Sequence, residues 1–280
     1  MTSHFVLPPV LAFARIAFLD HLAYRLRYVV GVLNYMIYMG VQYFLWSAVY
    51  ASAAAETRSL GGLSFHEMMT YFAVGWIVRV STFNNVDREL SDSVSQGDIA
   101  RDMLRPVSLL TRYYGHAAGE AAFRLAFMGL PTALLFFPLF GVTLPGDWAG
   151  PEKPLILIPT FAISGILSFH VFFLLNFITG LGSVFFEKLK GLLWAKFILV
   201  QFLSGLLVPF SLFPGWARST LQVLPFRAIV HGPATIYLGR GGEEEVWREI
   251  ALQAFWAAVL YLLSRRLWTG ARKKLLVMGG

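Results

Sequence analysis

The chain has 280 residues, 57% hydrophobic and only 14% charged, with no cysteine. Soluble domains normally carry about 25% charged residues, so an ordinary globular core is excluded, as are disulfides and thiolate metal sites. The formal net charge of +7 is spread along the chain in a way that favours lipid over nucleic acid.

The first predicted element is a helix over Val10–Arg27 that does not span. Ala12, Ile16, Leu19, Ala23 and Leu26 recur at helical spacing and form one apolar stripe, with Arg15, His21 and Arg25 away from it. Such a helix lies along a membrane surface; the competing reading is the plain flank of the first span. With Arg15, Arg25 and Arg27 ahead of the first apolar block and no small-residue cleavage site, no cleavable signal peptide is expected.

Six apolar blocks then approach or exceed the ~20 residues that a bilayer crossing needs: Tyr28–Ala51, His66–Asn84, Ala121–Val142, Leu155–Phe185, Leu192–Phe213 and Glu249–Trp268. Pro159 and the Gly180/Gly182 pair are expected to break the ends of the long fourth block. Short alternating segments of the β-barrel type are lacking. The expected fold is an all-α membrane protein: six transmembrane helices, an N-terminal amphipathic surface helix (1–27), and short re-entrant outer helices between spans 5 and 6. Placing both termini in the cytoplasm puts fourteen Lys and Arg residues in inner segments against six in outer ones. Arg79, Arg124 and Lys196 fall inside the apolar blocks, nearer their inner ends, and are expected to snorkel.

The inner segment 85–120 divides in two. Val86, Leu90 and Val94 recur every four residues, with Asp87, Arg88, Glu89, Ser91 and Asp92 on the other faces. Gly97 is suited to end that helix, Asp98 to cap a second short one, and Pro106 to stop it. The pair reads as a docking surface or, equally, as a solvated loop with ordinary surface helices. On the outer side, 214–248 is too apolar for a water-exposed loop and too rich in proline for a plain span. Helices dipping into the outer leaflet fit, shielded by their neighbours, with Glu243–Glu245 a solvated turn before the last span.

No catalytic constellation appears. The six histidines (His4, His21, His66, His116, His170, His231) are scattered, with no metal-ligand spacing, and there is no phosphate-binding G-x-x-x-x-G-K-[ST] loop. Acidic residues are nearly missing from the span interiors, which weakens an ion-coupled mechanism.

The inner Gly97-Asp98-Ile99…Leu104-Arg105-Pro106-Val107 motif stands with an outer pattern, Ser204-Gly205…Pro209-Phe210-Ser211-Leu212-Phe213-Pro214…Leu224-Pro225-Phe226…Pro233…Tyr237-Leu238-Gly239. Together with the six spans and the surface helix, these resemble the ABC-2 type permeases of ATP-binding cassette exporters, in particular small bacterial half-permeases. The resemblance implies a bacterial inner-membrane subunit that is not itself an enzyme. Two permeases would sit on separate ATPase subunits that hold the ATP and Mg, and the cargo would be a drug, lipid or peptide. It favours a pair of unlike permeases and leaves identical copies open.

Carried over, the ATPase-coupling role falls to Val86, Asp87, Arg88, Glu89, Leu90, Ser91 and Asp92. Gly97, Asp98, Arg101 and Arg105 lie alongside, with a lesser contact at Glu187 and Lys188. The substrate would pass along the first, second and fifth spans. There Asn34, Tyr38 and Gln42 share a helix face and either line a path or hydrogen-bond a neighbouring helix. Phe72 and Trp76 form an aromatic wall, Phe197, Gln201 and Ser204 share another face, and Leu206, Leu207, Val208 and Pro209 stand as the outer gate; packing is the competing role for each. A lipid-linked polysaccharide as cargo, and a membrane enzyme or a non-transport partner such as an immunity protein, are the alternative functions.

Overall fold

The structure, a computed structural model, describes residues 8–24, 26–52, 59–143, 154–186 and 189–278. Helices follow in chain order: α1 Pro9–Ala23, α2 Leu26–Ser52, α3 Phe65–Thr82, α4 Val86–Ser95, α5 Ile99–Met103 and α6 Leu109–Arg124. Then come α7 Leu130–Phe140, α8 Pro154–Leu181, α9 Lys190–Leu203, α10 Gly215–Leu221, α11 His231–Leu238 and α12 Gly242–Met278. Among the described residues there is no strand.

Helix α3 forms the hub. Ser64 and Glu67 close a capping box at its start, the Ser64 amide donating to the Glu67 carboxylate at 2.8 Å. From Met68 to Thr82 nearly every residue is buried, surrounded by α2, α6, α7, α8 and α11.

Among the described residues, four helical stretches are long and apolar enough to cross a membrane: Tyr28–Ser52, Leu109–Phe140, Ile156–Val184 and Gly242–Leu276. The other two expected spans correspond to α3, of 18 residues, and α9, of 14. The block expected to run helical from Leu192 to Phe213 stops at Leu203, because Gly205 takes a left-handed φ of 85°. A Cβ at Gly205 would lie 2.5 Å from the Tyr71 hydroxyl.

Several boundaries differ from expectation for physical reasons. The stretch expected as the third span starts at Leu109 rather than Ala121, since α6 continues into α7 through one π-helical turn, Leu125–Gly129. Pro131 follows that turn; its ring crowds the carbonyl four residues back, which a wider turn accommodates. Helix α8 runs through Pro159 without a break and tightens only at Gly182–Val184. The last helix begins at Gly242, so Glu243–Glu245 form its first turn, where the helix dipole favours carboxylates.

Helix α1 ends before α2 begins and packs on α6, so it is not the flank of the first span. Gly115 and Gly119 make the seat: a Cβ at Gly119 would lie 2.1 Å from the Ala14 carbonyl oxygen, and one at Gly115 2.8 Å from that of Val10. Phe13, Ala14, Ala17 and Phe18 face the protein, while Ile16, Leu19 and Ala23 of the expected stripe face outward.

Between α9 and α12 the irregular backbone is held by side chains of neighbouring helices. Tyr71 donates to the Gly205 carbonyl at 3.0 Å, Ser168 donates to that of Ile229, and Gln253 donates to that of Ala228 at 2.8 Å. Buried carbonyls outside regular helices thereby find donors.

Candidate functional site

Two polar clusters lie toward opposite ends of α3, about 18 Å apart along its axis from Glu67 to Arg79 at 1.5 Å per residue. At the α4 end, Asp87 is buried and pairs with Lys196 of α9. The Lys196 ammonium also donates to Asn176 Oδ1 of α8 at 2.5 Å. Asn176 in turn donates to the Asn84 carbonyl at 3.0 Å and to its side-chain oxygen at 2.9 Å. Helix α4 crosses α8 closely at Gly180, where a Cβ would lie 3.0 Å from the Asp87 backbone. Asp87 therefore ties α4 to the interior and is not part of an outward docking face.

The cations of this cluster do not snorkel to the surface. Arg79 is 7% exposed, and its guanidinium lies 4.4 Å from the Phe83 ring centroid, 5.3 Å from Phe172 and 5.6 Å from Phe197. Its Nη1 has no hydrogen-bond partner among the described residues. Arg88 stacks on Trp194 at 4.5 Å. Arg124 instead turns to Glu120, donating at 2.6 and 2.8 Å. His21 of α1 sits 3.7 Å from the same carboxylate. The nearby Glu120 carboxylate raises the His21 pKa above its ordinary value.

The outward side of α4 and α5 presents Glu89, Asp92, Gly97, Asp98, Arg101 and Arg105, all exposed, while Val86, Leu90 and Ser91 are buried. Gly97 ends α4 with a φ of 78°, but Asp98 makes no capping hydrogen bond and faces Arg101 at 3.6 Å. Asp102 is buried and pairs with Arg112, and Leu104 stands 86% exposed just beyond α5. A cavity of about 550 Å³ between α4, α5 and α6 is lined by charges of both signs, Glu89, Asp92 and Arg112 among them. Glu187 and Lys188 lie outside the described residues.

At the α11 end, Arg227 is buried and pairs with Glu249, itself 1% exposed, and with Glu245 at 3.3 Å. Arg240 grips both Glu67 oxygens at 2.8 Å. Glu245 of the acidic run is thus an ion-pair partner rather than part of a solvated turn.

The expected path residues are dispersed. Asn34 and Tyr38 are exposed on α2; Tyr38 stacks on Trp76 at 4.9 Å, and Gln42 accepts from Trp46 of its own helix at 3.0 Å. Phe72 is fully buried against Trp46. Phe197 and Gln201 line the small space beside Arg79 and Lys196, while Ser204 and Leu206 are buried near the α11 end. Leu207 and Val208 are half-buried, and Pro209 is buried. Missed in the sequence were Asn84, Asn176 and the inward turn of Arg79; an arginine inside an apolar block was itself a signal of function.

Residues 36–279 match the family model described as ABC-2 family transporter protein. No curated protein matches the chain. With most of its length matched, the chain belongs to the ABC-2 transporter family and is a multi-pass membrane protein.

Proposed function

We propose that this ABC-2 family member is the permease subunit of an ATP-driven exporter, moving a hydrophobic or amphipathic substrate out of the cytoplasm or inner leaflet. Separate ATPase subunits supply the energy and hold the ATP and Mg; a second permease, unlike this chain or identical to it, completes the path. In this reading six helices cross the inner membrane of a bacterium with both termini in the cytoplasm, so the α4 end is inner and the α11 end outer.

One observation carries the proposal. Helix α4 is anchored to α8 through Gly180 and to α9 through Asp87–Lys196, yet its other side offers exposed Glu89 and Asp92. A partner pressing on that side moves the two crossing helices with it. ATPase closure biases the permease to the extent that its two states dock differently there. The exposed apolar face of α2, including Val30, Ile37, Val41 and Phe44, supports lipid or a second permease as its neighbour.

Reversing the exposed charges, Glu89→Lys with Asp92→Lys, tests the reading without touching the Asp87 pair. ATPase affinity is expected to fall by about tenfold or more, equivalent to 1.4 kcal/mol, with the thermal midpoint unchanged. Undiminished co-purification of the ATPase with this variant would overturn the docking assignment.

A further inference from the structure

Helices α6 and α12 both pack on α8 and leave a furrow between them. Part of it is a groove of about 460 Å³, walled by Leu110 and Tyr114 of α6, Phe173 and Leu174 of α8, and Ala258 and Tyr261 of α12. Ligand sites commonly measure ~300–1,000 Å³. The polar pair on its wall is closed on itself. His170 Nδ1 lies 2.7 Å from the Ile166 carbonyl, which only accepts, so Nδ1 carries the proton and Nε2 accepts from the Tyr114 hydroxyl at 2.7 Å. A wall with its polar atoms paired in this way suits an apolar chain.

Beyond Leu110 and Tyr261 lies a second space of about 240 Å³, lined by Arg105 of the Leu104-Arg105-Pro106-Val107 motif, Ser108, Leu109, and Trp268 and Arg272 of α12. The carboxylate in its lining, Asp102, is buried and already pairs with Arg112, with Arg105 Nε 3.9 Å away. Arg272 is exposed and has no carboxylate partner among the described residues. Leu109 and Leu110 are neighbours on α6, and Tyr261, Arg265, Trp268 and Arg272 recur at spacings of 4, 3 and 4 on one face of α12. Tyr261 to Arg272 covers about 16 Å at 1.5 Å per residue, close to half of the ~30 Å hydrocarbon core. The furrow therefore has the reach of one leaflet, apolar in one part and basic in the other.

We propose that the furrow holds an anionic phospholipid of the inner leaflet as a resident ligand, its phosphate between Arg105 and Arg272 and one acyl chain in the groove beside Tyr114. The leaflet rests on the orientation proposed above, with the α4 end inner. Guanidinium groups donate in pairs to phosphate oxygens, basic groups on the cytoplasmic side attract anionic lipid, and tryptophan sits at headgroup level. A free ion would leave the apolar groove unused. Because Arg105 stands beside Asp102, a headgroup held there ties the connection between α5 and α6 to α12.

The test is binding of radiolabelled phosphatidylglycerol to the purified full-length chain in detergent, with phosphatidylcholine of the same chains as the zwitterionic probe. Wild type is expected to prefer phosphatidylglycerol by about tenfold or more. Arg105→Gln with Arg272→Gln should abolish the preference, while Arg266→Gln with Lys273→Gln, which removes the same charge from exposed positions outside the furrow, should keep it. Equal loss in both pairs, or no preference in wild type, overturns the site. Glycerol phosphate competing as well as the whole lipid overturns the lipid and leaves a simple anion site. In wild type, a photoactivatable group on the acyl chain should label peptides holding Tyr114 or Ala258; label confined to α2 overturns the furrow. None of these measurements uses ATP or the ATPase. The orientation is checked separately in this cysteine-free chain: a Lys273→Cys thiol that reacts with an impermeant maleimide in intact cells defeats the inner placement, whereas a lost headgroup preference defeats the furrow alone.

Discussion

The two ends of α3 solve the same problem in opposite ways. At the α11 end Arg227 faces Glu249 and Glu245, and Arg240 faces Glu67, so each cation has its own carboxylate. At the α4 end Arg79, Arg88 and Lys196 have Asp87 between them. Burying charge is costly unless it is matched. The matched end accordingly holds an irregular backbone in one arrangement, whereas the unmatched end leaves Arg79 facing aromatic rings.

The largest expected effect breaks the comparison directly. Arg227→Met strands the buried Glu249 and should cost about 3–5 kcal/mol of stability, whereas Arg79→Met strands nothing and should stay within about 1 kcal/mol of wild type or exceed it. Thermal unfolding of the two variants in one detergent measures both; equal losses would erase the distinction between the ends. Next in size is the link from α4 to α9. Lys196→Met should cost about 2–4 kcal/mol, and adding Asp87→Asn should recover part of it, with a coupling energy of about 1–3 kcal/mol in a double-mutant cycle. Strict additivity would mean that the pair transmits nothing.

The smallest effect is at His21, which meets Glu120, with Arg124, Tyr28 and Phe123 around it. Its folded-state pKa is raised, so its stabilising contribution is full below the ordinary value near 6.5 and fades as pH rises through the higher folded value. The partly exposed contact limits the gain to under about 1 kcal/mol. The difference in thermal midpoint between wild type and His21→Gln should therefore shrink from pH 5.5 to 8.5; a difference that grows would reverse the assignment.

Much of the helical layout was legible because its signals are local. The apolar run of α2, the stop at Gly97 and the tightening at Gly182 each follow from neighbouring residues. What was not legible depends on distant ones. Asp87 and Glu89 look alike in sequence, but two helical positions rotate them by about 200°, and only the packing on Gly180 and Lys196 decides which one is hidden. The end of α9 at Gly205 follows from the approach of Tyr71, 134 residues earlier. The α1 seat was in principle visible as Gly115 and Gly119 four apart, a spacing that marks close helix contact. The start of α6 at Leu109 is not legible in the sequence because Arg112 and Glu120 interrupt its apolar pattern, and both charges find partners, in Asp102 and in Arg124 and His21.

The wide turn at Leu125–Gly129 has an effect beyond making room for Pro131. One additional residue per turn advances the register by roughly 100°, so the rod changes which compass direction it shows halfway along without ever snapping. Its earlier portion aims glycines at α1, and its later portion aims Thr132 and Phe136 into the bundle. A single continuous strut thereby clasps a peripheral helix at one extremity and the hub at the other.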